Sequence, residues 1–139
     1  MNWKLLLTLS LFGLIMAAAT VSLIPEKTEP AFWLVIFIFC AYIIAKRCTG
    51  RYFLHGFVLS LLNSVWITAI HVIYCSTYMR NHADMSPAQM HTPAAMWMHP
   101  RWLMLIMGPL FGVIFGLFQG LFAFIASKIV KKEAISAGV

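Results

Sequence analysis

Residues 102–130 read WLMLIMGPLFGVIFGLFQGLFAFIASKIV, and Lys128 is the one charged side chain in the run. The hydrocarbon core of a bilayer is about 30 Å thick and takes about 20 helical residues to cross, so this stretch spans it with turns to spare. A membrane strand would alternate in polarity over about 10 residues instead, and the run shows continuous hydrophobicity. It reads as a transmembrane helix. Working outward, residues 5–24, 30–45 and 52–78 fit the same description. The second is the shortest. A start near Thr28, with Pro30 in the first turn and Lys46 and Arg47 snorkelling to the interface, restores its length.

Composition agrees. The 139 residues are 62% hydrophobic and 10% charged, with a mean hydropathy of +0.87, whereas soluble domains run at about 45–50% apolar and about 25% charged. The chain lacks the polar side chains to cover a core with a wetted surface. The expected fold class is all-α: an integral membrane bundle of four transmembrane helices, one domain over residues 1–139, with a partly helical outer loop at 79–101. In that loop Ser86-Pro87 and Thr92-Pro93 each read as an N-cap followed by proline at the first helical position, while Trp97 and Trp102 read as interfacial anchors. The two short connections predict that helices one to three are antiparallel neighbours in sequence order.

The formal net charge is +6, but the basic residues stand in short clusters between apolar runs, so topology rather than a nucleic-acid partner accounts for them. Lys4, then Lys46, Arg47 and Arg51, then Lys128, Lys131 and Lys132 fall on one side, against Lys27, Arg80 and Arg101 on the other. The positive-inside rule places both termini in the cytoplasm, in a plasma membrane or bacterial inner membrane, with the long loop outward. Lys4, the apolar run 5–16 and Ala17-Ala18-Ala19 also fit a cleaved signal peptide, against which the hydrophobicity continuing to Ile24 argues for a retained span.

Gly108, Gly112, Gly116 and Gly120 recur every four residues and share one slowly rotating face with Gln119. Leu110, Ile114, Leu117 and Leu121 lie opposite and suit lipid; Phe111, Phe115, Phe118 and Phe122 run between. Lipid provides no hydrophobic drive for helix association, and absent side chains let backbones approach, so the glycines are a packing face for a helix of this chain or of a second copy. Pro109 predicts a kink.

In the third span Ser60, Asn63, Ser64, His71 and Cys75 fall in one angular sector with Tyr74, Tyr78 and His82, while Leu62, Trp66, Ala69 and Ile73 point away. One reading is interhelical hydrogen bonding, with Gln119 as a partner. The other makes His71 and Cys75 a ligand or proton-carrying pair near the outer leaflet. His55 faces away from His71, which argues against a haem-binding bundle.

Residues 79–99, MRNHADMSPAQMHTPAAMWMH, interleave thioethers with imidazoles. Met79, His82, Met85, Met90, His91 and His99 are candidate donors for Cu(I), which soft thioether ligands favour; flexible methionine is equally suited to filling gaps at an interface. Cys40, Cys48 and Cys75 are odd in number and form no CxxC, so neither a disulfide framework nor a zinc ribbon is indicated. Glu26, Glu29, Asp84 and Glu133 all fall outside the spans, and the sequence holds no Gly-rich phosphate loop, HExxH or GxSxG. Buried carboxylate chemistry is therefore disfavoured. The leading expectation is a non-enzymatic protein without a cofactor, whose partners are the bilayer and either a second copy or another membrane protein. The alternatives are Cu(I) binding or transfer through the loop, and a small oligomeric channel or transporter lined by Asn63, His71 and Gln119.

Overall fold

A computed structural model describes residues 1–25, 27–82 and 99–130. The described residues form five helices and no strand: α1 (Trp3–Ser22), α2 (Glu29–Arg47), α3 (Tyr52–Ile73), α4 (Cys75–Asn81) and α5 (Pro100–Ile129). Four of them, α1, α2, α3 and α5, are long and apolar enough to cross a membrane. The chain is a multi-pass, all-helical membrane protein.

Local chemistry sets the helix ends. The Asn2 Oδ1 accepts the Leu5 N–H at 3.2 Å and caps α1. Pro30 sits in the first turn of α2, where its missing N–H costs nothing. His99 caps α5 by accepting the Arg101 N–H on Nδ1 at 3.3 Å, with Pro100 as the first helical residue. Arg51, directly before α3, has φ of 51°, in the left-handed region, and no side chain caps that helix.

Two expectations need correction. The span at 52–78 is interrupted at Tyr74, whose ψ of 27° leaves the helical region, so α3 ends at Ile73 and α4 resumes at Cys75. Helices one to three are also not each other's main neighbours in sequence order, although α3 and α5, the third and fourth spans, are consecutive. The most extensive packing is α3 on α5, followed by α1 on α3 and α2 on α5; α1 and α2 meet largely through side chains, as where Phe12 meets the Phe39 ring edge-on at 5.5 Å. Small residues explain the preference. The buried stripe Ser10, Gly13, Ala17 and Thr20 on α1 lets α3 approach, and α3 and α5 offer small residues to each other, so backbone proximity and dispersion outweigh sequence adjacency.

Antiparallel pairing brings the amino terminus, the α2–α3 turn and the last turns of α5 to one end. There Leu6, Leu9, Cys40, Ala41, Ile44, Cys48, Leu59 and Ala123 form the apolar core, to which all four long helices contribute. This end carries Lys4, Lys46, Arg47, Arg51 and Lys128 and is called the basic end below. At the opposite end, the loop end, α4 leans on the last turn of α1, with Asn81 Nδ2 donating to the Val21 carbonyl at 2.8 Å.

Candidate functional site

The glycine face of α5 is occupied within the chain. A Cβ on Gly108 would strike Thr68; on Gly112, Ser64; on Gly116, Phe57; on Gly120, Phe53. The pairing runs antiparallel along α3. Ser60 Oγ adds a hydrogen bond to the Gly112 carbonyl at 3.2 Å. The approach is reciprocal at Gly56, where a Cβ would strike the Gln119 carbonyl oxygen and come within 2.8 Å of its carbon and 2.9 Å of Gly120 Cα. Gly56 escaped the sequence reading, although Gly56, Ser60 and Ser64 repeat at four-residue spacing and are the small-residue counterpart of the α5 pattern. Gly13 escaped too; it lies against the Asn63 side chain.

Leu110, Ile114, Leu117 and Leu121 are exposed, as are Phe111, Phe115 and Phe118. The helix runs unbroken through Pro109.

The polar sector of α3 divides between two neighbours. Ser60 and Ser64 face α5, although the Ser64 hydroxyl donates to its own helix at the Leu61 carbonyl, 2.8 Å away. Asn63 and His71 face α1. The expected bond between this sector and Gln119 is absent among the described residues. Gln119, 1% exposed, turns instead toward α2 and donates Nε2–H to the Phe37 carbonyl at 3.3 Å. Trp66, expected to point away, is half-buried and donates Nε1–H to Ser10 Oγ at 3.2 Å. Its indole N–H needs an acceptor inside the membrane, and α1 has one.

At the loop end the sector continues across the break at Tyr74 as a buried column of His71, Cys75, Tyr78 and His82. The Tyr78 ring lies between the two imidazoles, stacked on His71 at 4.2 Å and on His82 at 4.3 Å. His71 Nε2 is 2.9 Å from Thr20 Oγ1, which also donates to the Ala17 carbonyl at 3.1 Å. A hydroxyl has one proton, so with it directed to Ala17 the imidazole donates: neutral His71 carries its hydrogen on Nε2. His82 is the opposite tautomer. Its Nδ1–H donates to the Tyr78 carbonyl at 3.1 Å, and its buried Nε2 has no hydrogen-bond partner among the described residues.

His71 and His82 thus flank a phenol ring and do not converge on one point. No group of three His, Cys, Asp or Glu able to hold a metal ion occurs among the described residues. Met79 is half-buried beside the column, and His99 is exposed with Nδ1 engaged in its cap. The candidate donors Met85, Met90 and His91, the caps at Ser86 and Thr92, and Trp97 lie outside the described residues, as do Lys131 and Lys132. Asn63, His71 and Gln119 are buried.

His55 is 4% exposed. Its Nδ1–H donates to the Arg51 carbonyl at 2.8 Å, and its Nε2 accepts the Asn2 N–H at 3.1 Å, tying the start of α1 to the α2–α3 turn. Comparison with protein-family models, curated proteins and solved structures finds no match to this chain.

Proposed function

We propose that this is a non-enzymatic protein of a plasma membrane or bacterial inner membrane, with both termini cytoplasmic, that acts by lateral association with a second copy or another membrane protein. One observation carries the reading. The small-residue faces are turned inward, which leaves α2 and α5 side by side, joined by Phe37 on Phe115, and presenting an aromatic-rich surface outward. Phe32, Val35 and Phe39 of α2 and Phe111 and Phe118 of α5 are each at least 45% exposed. The glycines then serve association indirectly, by holding α5 rigid against α3. Rigid aromatic side chains offer large contact area at small entropic cost.

Photocrosslinking from positions 35, 39, 111 and 118 in native membranes tests this. Adducts with a second copy or with one discrete protein are expected. Adducts with lipid alone at all four positions would refute it.

A second reading rests on the lone pair of His82 Nε2, buried like Cys75 and close in sequence to Met79. Both groups suit a soft ion such as Cu(I), with His99 and the loop residues Met85, Met90 and His91 as further donors. Competition for Cu(I) against a chromophoric chelator, with intact protein and a variant replacing loop Met and His, tests it. Stoichiometric binding lost in the variant supports metal handling. Binding that is negligible, or unchanged in the variant, removes that reading.

A further inference from the structure

The basic end holds a feature the association reading does not use. Arg47, Cys48, Thr49, Gly50, Arg51 and His55 line a pocket of about 330 Å³ where α2 turns into α3. Arg47 is the last residue of α2 and Arg51 immediately precedes α3, so the pocket lies where the spans leave the hydrocarbon, at the depth of lipid headgroups. Three properties select its occupant. Two arginines, Arg47 and Arg51, are among the residues that line it, and guanidinium forks match phosphate oxygens bidentately. The 22-residue helix α3 opens beside it without a side-chain cap, and a helix start carries partial positive charge from its unpaired N–H groups. The sole described carboxylate side chain, Glu29, is at the loop end of α2, so among the described residues no acidic side chain competes for the arginines.

The pocket is built rather than incidental. Buried His55 clamps its floor to the start of α1 through Asn2, and Arg51 is held with φ of 51°. That conformation is uncommon for a residue other than glycine.

We propose that this pocket binds a phosphate group, presented by an anionic lipid headgroup in the adjoining leaflet or as free phosphate. The site is independent of the loop end and of the outward aromatic surface.

Native mass spectrometry of the full chain in a zwitterionic detergent tests the proposal, with phosphatidylglycerol, phosphatidylcholine and inorganic phosphate offered in separate titrations. Wild type is expected to retain phosphatidylglycerol or inorganic phosphate in preference to phosphatidylcholine. The double variant Arg47→Gln/Arg51→Asn should weaken retention by about tenfold or more, the scale of losing charge-assisted hydrogen bonds; asparagine is chosen because it tolerates the left-handed conformation. Lys4→Gln/Lys128→Gln removes the same charge from the same end and should retain ligand like wild type. Retention of phosphatidylglycerol without inorganic phosphate identifies the lipid as the source, and the reverse identifies the free ion. Equal retention of phosphatidylglycerol and phosphatidylcholine with no phosphate bound, or equal losses in the two double variants, would overturn the proposal. If the arginine pair fails to fold, Arg47→Gln alone, at an exposed helix end, carries the test by the same criteria.

Discussion

Replacing Gly56 by alanine probes the closest backbone approach in the bundle. The added methyl group would lie 2.8 Å from the Gln119 carbonyl carbon and 2.9 Å from Gly120 Cα, where ordinary contact begins at 3.4 Å. Both obstacles are backbone, so no rotamer change relieves them. The Gln119 carbonyl oxygen, also backbone, is nearer still, so the helices must part by about 1 Å at this point. A gap of that size forfeits about a quarter or more of each neighbouring dispersion contact. It also stretches the Ser60 to Gly112 hydrogen bond, already 3.2 Å. Overpacking against backbone that cannot rotate away falls in the upper part of the usual range, about 2–3 kcal/mol, and the better helix propensity of alanine returns at most about 1 kcal/mol. A net destabilisation of about 1–2 kcal/mol is expected. Cys40, 1% exposed, reports unfolding through a fluorogenic maleimide during a thermal ramp in mild detergent. Gly50→Ala is the control, because a Cβ there meets nothing within 4 Å and its φ is not in the left-handed region. A Gly56→Ala protein that unfolds at or above the wild-type temperature would refute the reasoning about the α3–α5 interface.

Thr20→Val should lower stability by about 1 kcal/mol, because it removes the hydroxyl bonded to His71 Nε2 while keeping shape; Thr20→Ser should restore it, and an unchanged melting temperature in the valine variant would contradict a net contribution from the Thr20–His71 hydrogen bond. Burial pushes the Cys48 thiol above its ordinary value of 9.0, and the positive amino terminus lowers it only in part. Because only the thiolate reacts, Cys48 in a variant lacking the other two cysteines should be alkylated more slowly than a free thiol at pH 8, with its rate still climbing above pH 9.0. A rate that levels off below pH 9 would show a depressed thiol instead.

Fold class and span number were legible because they rest on length and hydrophobicity, which the bilayer imposes on any chain. The glycine face of α5 was legible as periodicity, but its partner was not. Periodicity names a face, and only the matching stripe Gly56, Ser60 and Ser64 on α3 identifies what it meets. Pairing of helices one to three by sequence order failed because α1 turns its small-residue stripe Ser10, Gly13, Ala17 and Thr20 to α3, while α2, which has no glycine, packs chiefly on α5. The polar sector of α3 was legible as a whole, but its division between α1 and α5 was not. A helical wheel spaces Asn63 and Ser64 by 100°, and that angle is the difference between facing α1 and facing α5. The break at Tyr74 left no mark in composition, since the side chains on either side continue the same buried column.

Asn63 shows what the polar residues do in this interior. It is 4% exposed, and its Oδ1 has no hydrogen-bond partner among the described residues. Thr68 Oγ1 of α3 and Gln119 Oε1 of α5 share that condition. An unpaired buried acceptor costs about 1–3 kcal/mol, whereas a satisfied interhelical bond in a membrane returns about 0.6 kcal/mol on average. Asn63 is therefore a net liability to folding unless its role lies elsewhere. Leucine is its closest apolar counterpart in branching and size, and Gly13 already accommodates Cβ, Cγ and one branch at this position. Asn63→Leu should leave stability unchanged or raise it by about 1 kcal/mol, while Asn63→Ala should lower it by leaving a void beside Gly13. The same thermal ramp reads both. A leucine variant less stable than wild type by more than about 1 kcal/mol would mean that the amide contributes net stabilisation where its Oδ1 alone suggests a cost. A leucine variant that is more stable, yet loses its crosslinks to a partner, would mean that the orphaned amide is retained for association and not for the fold.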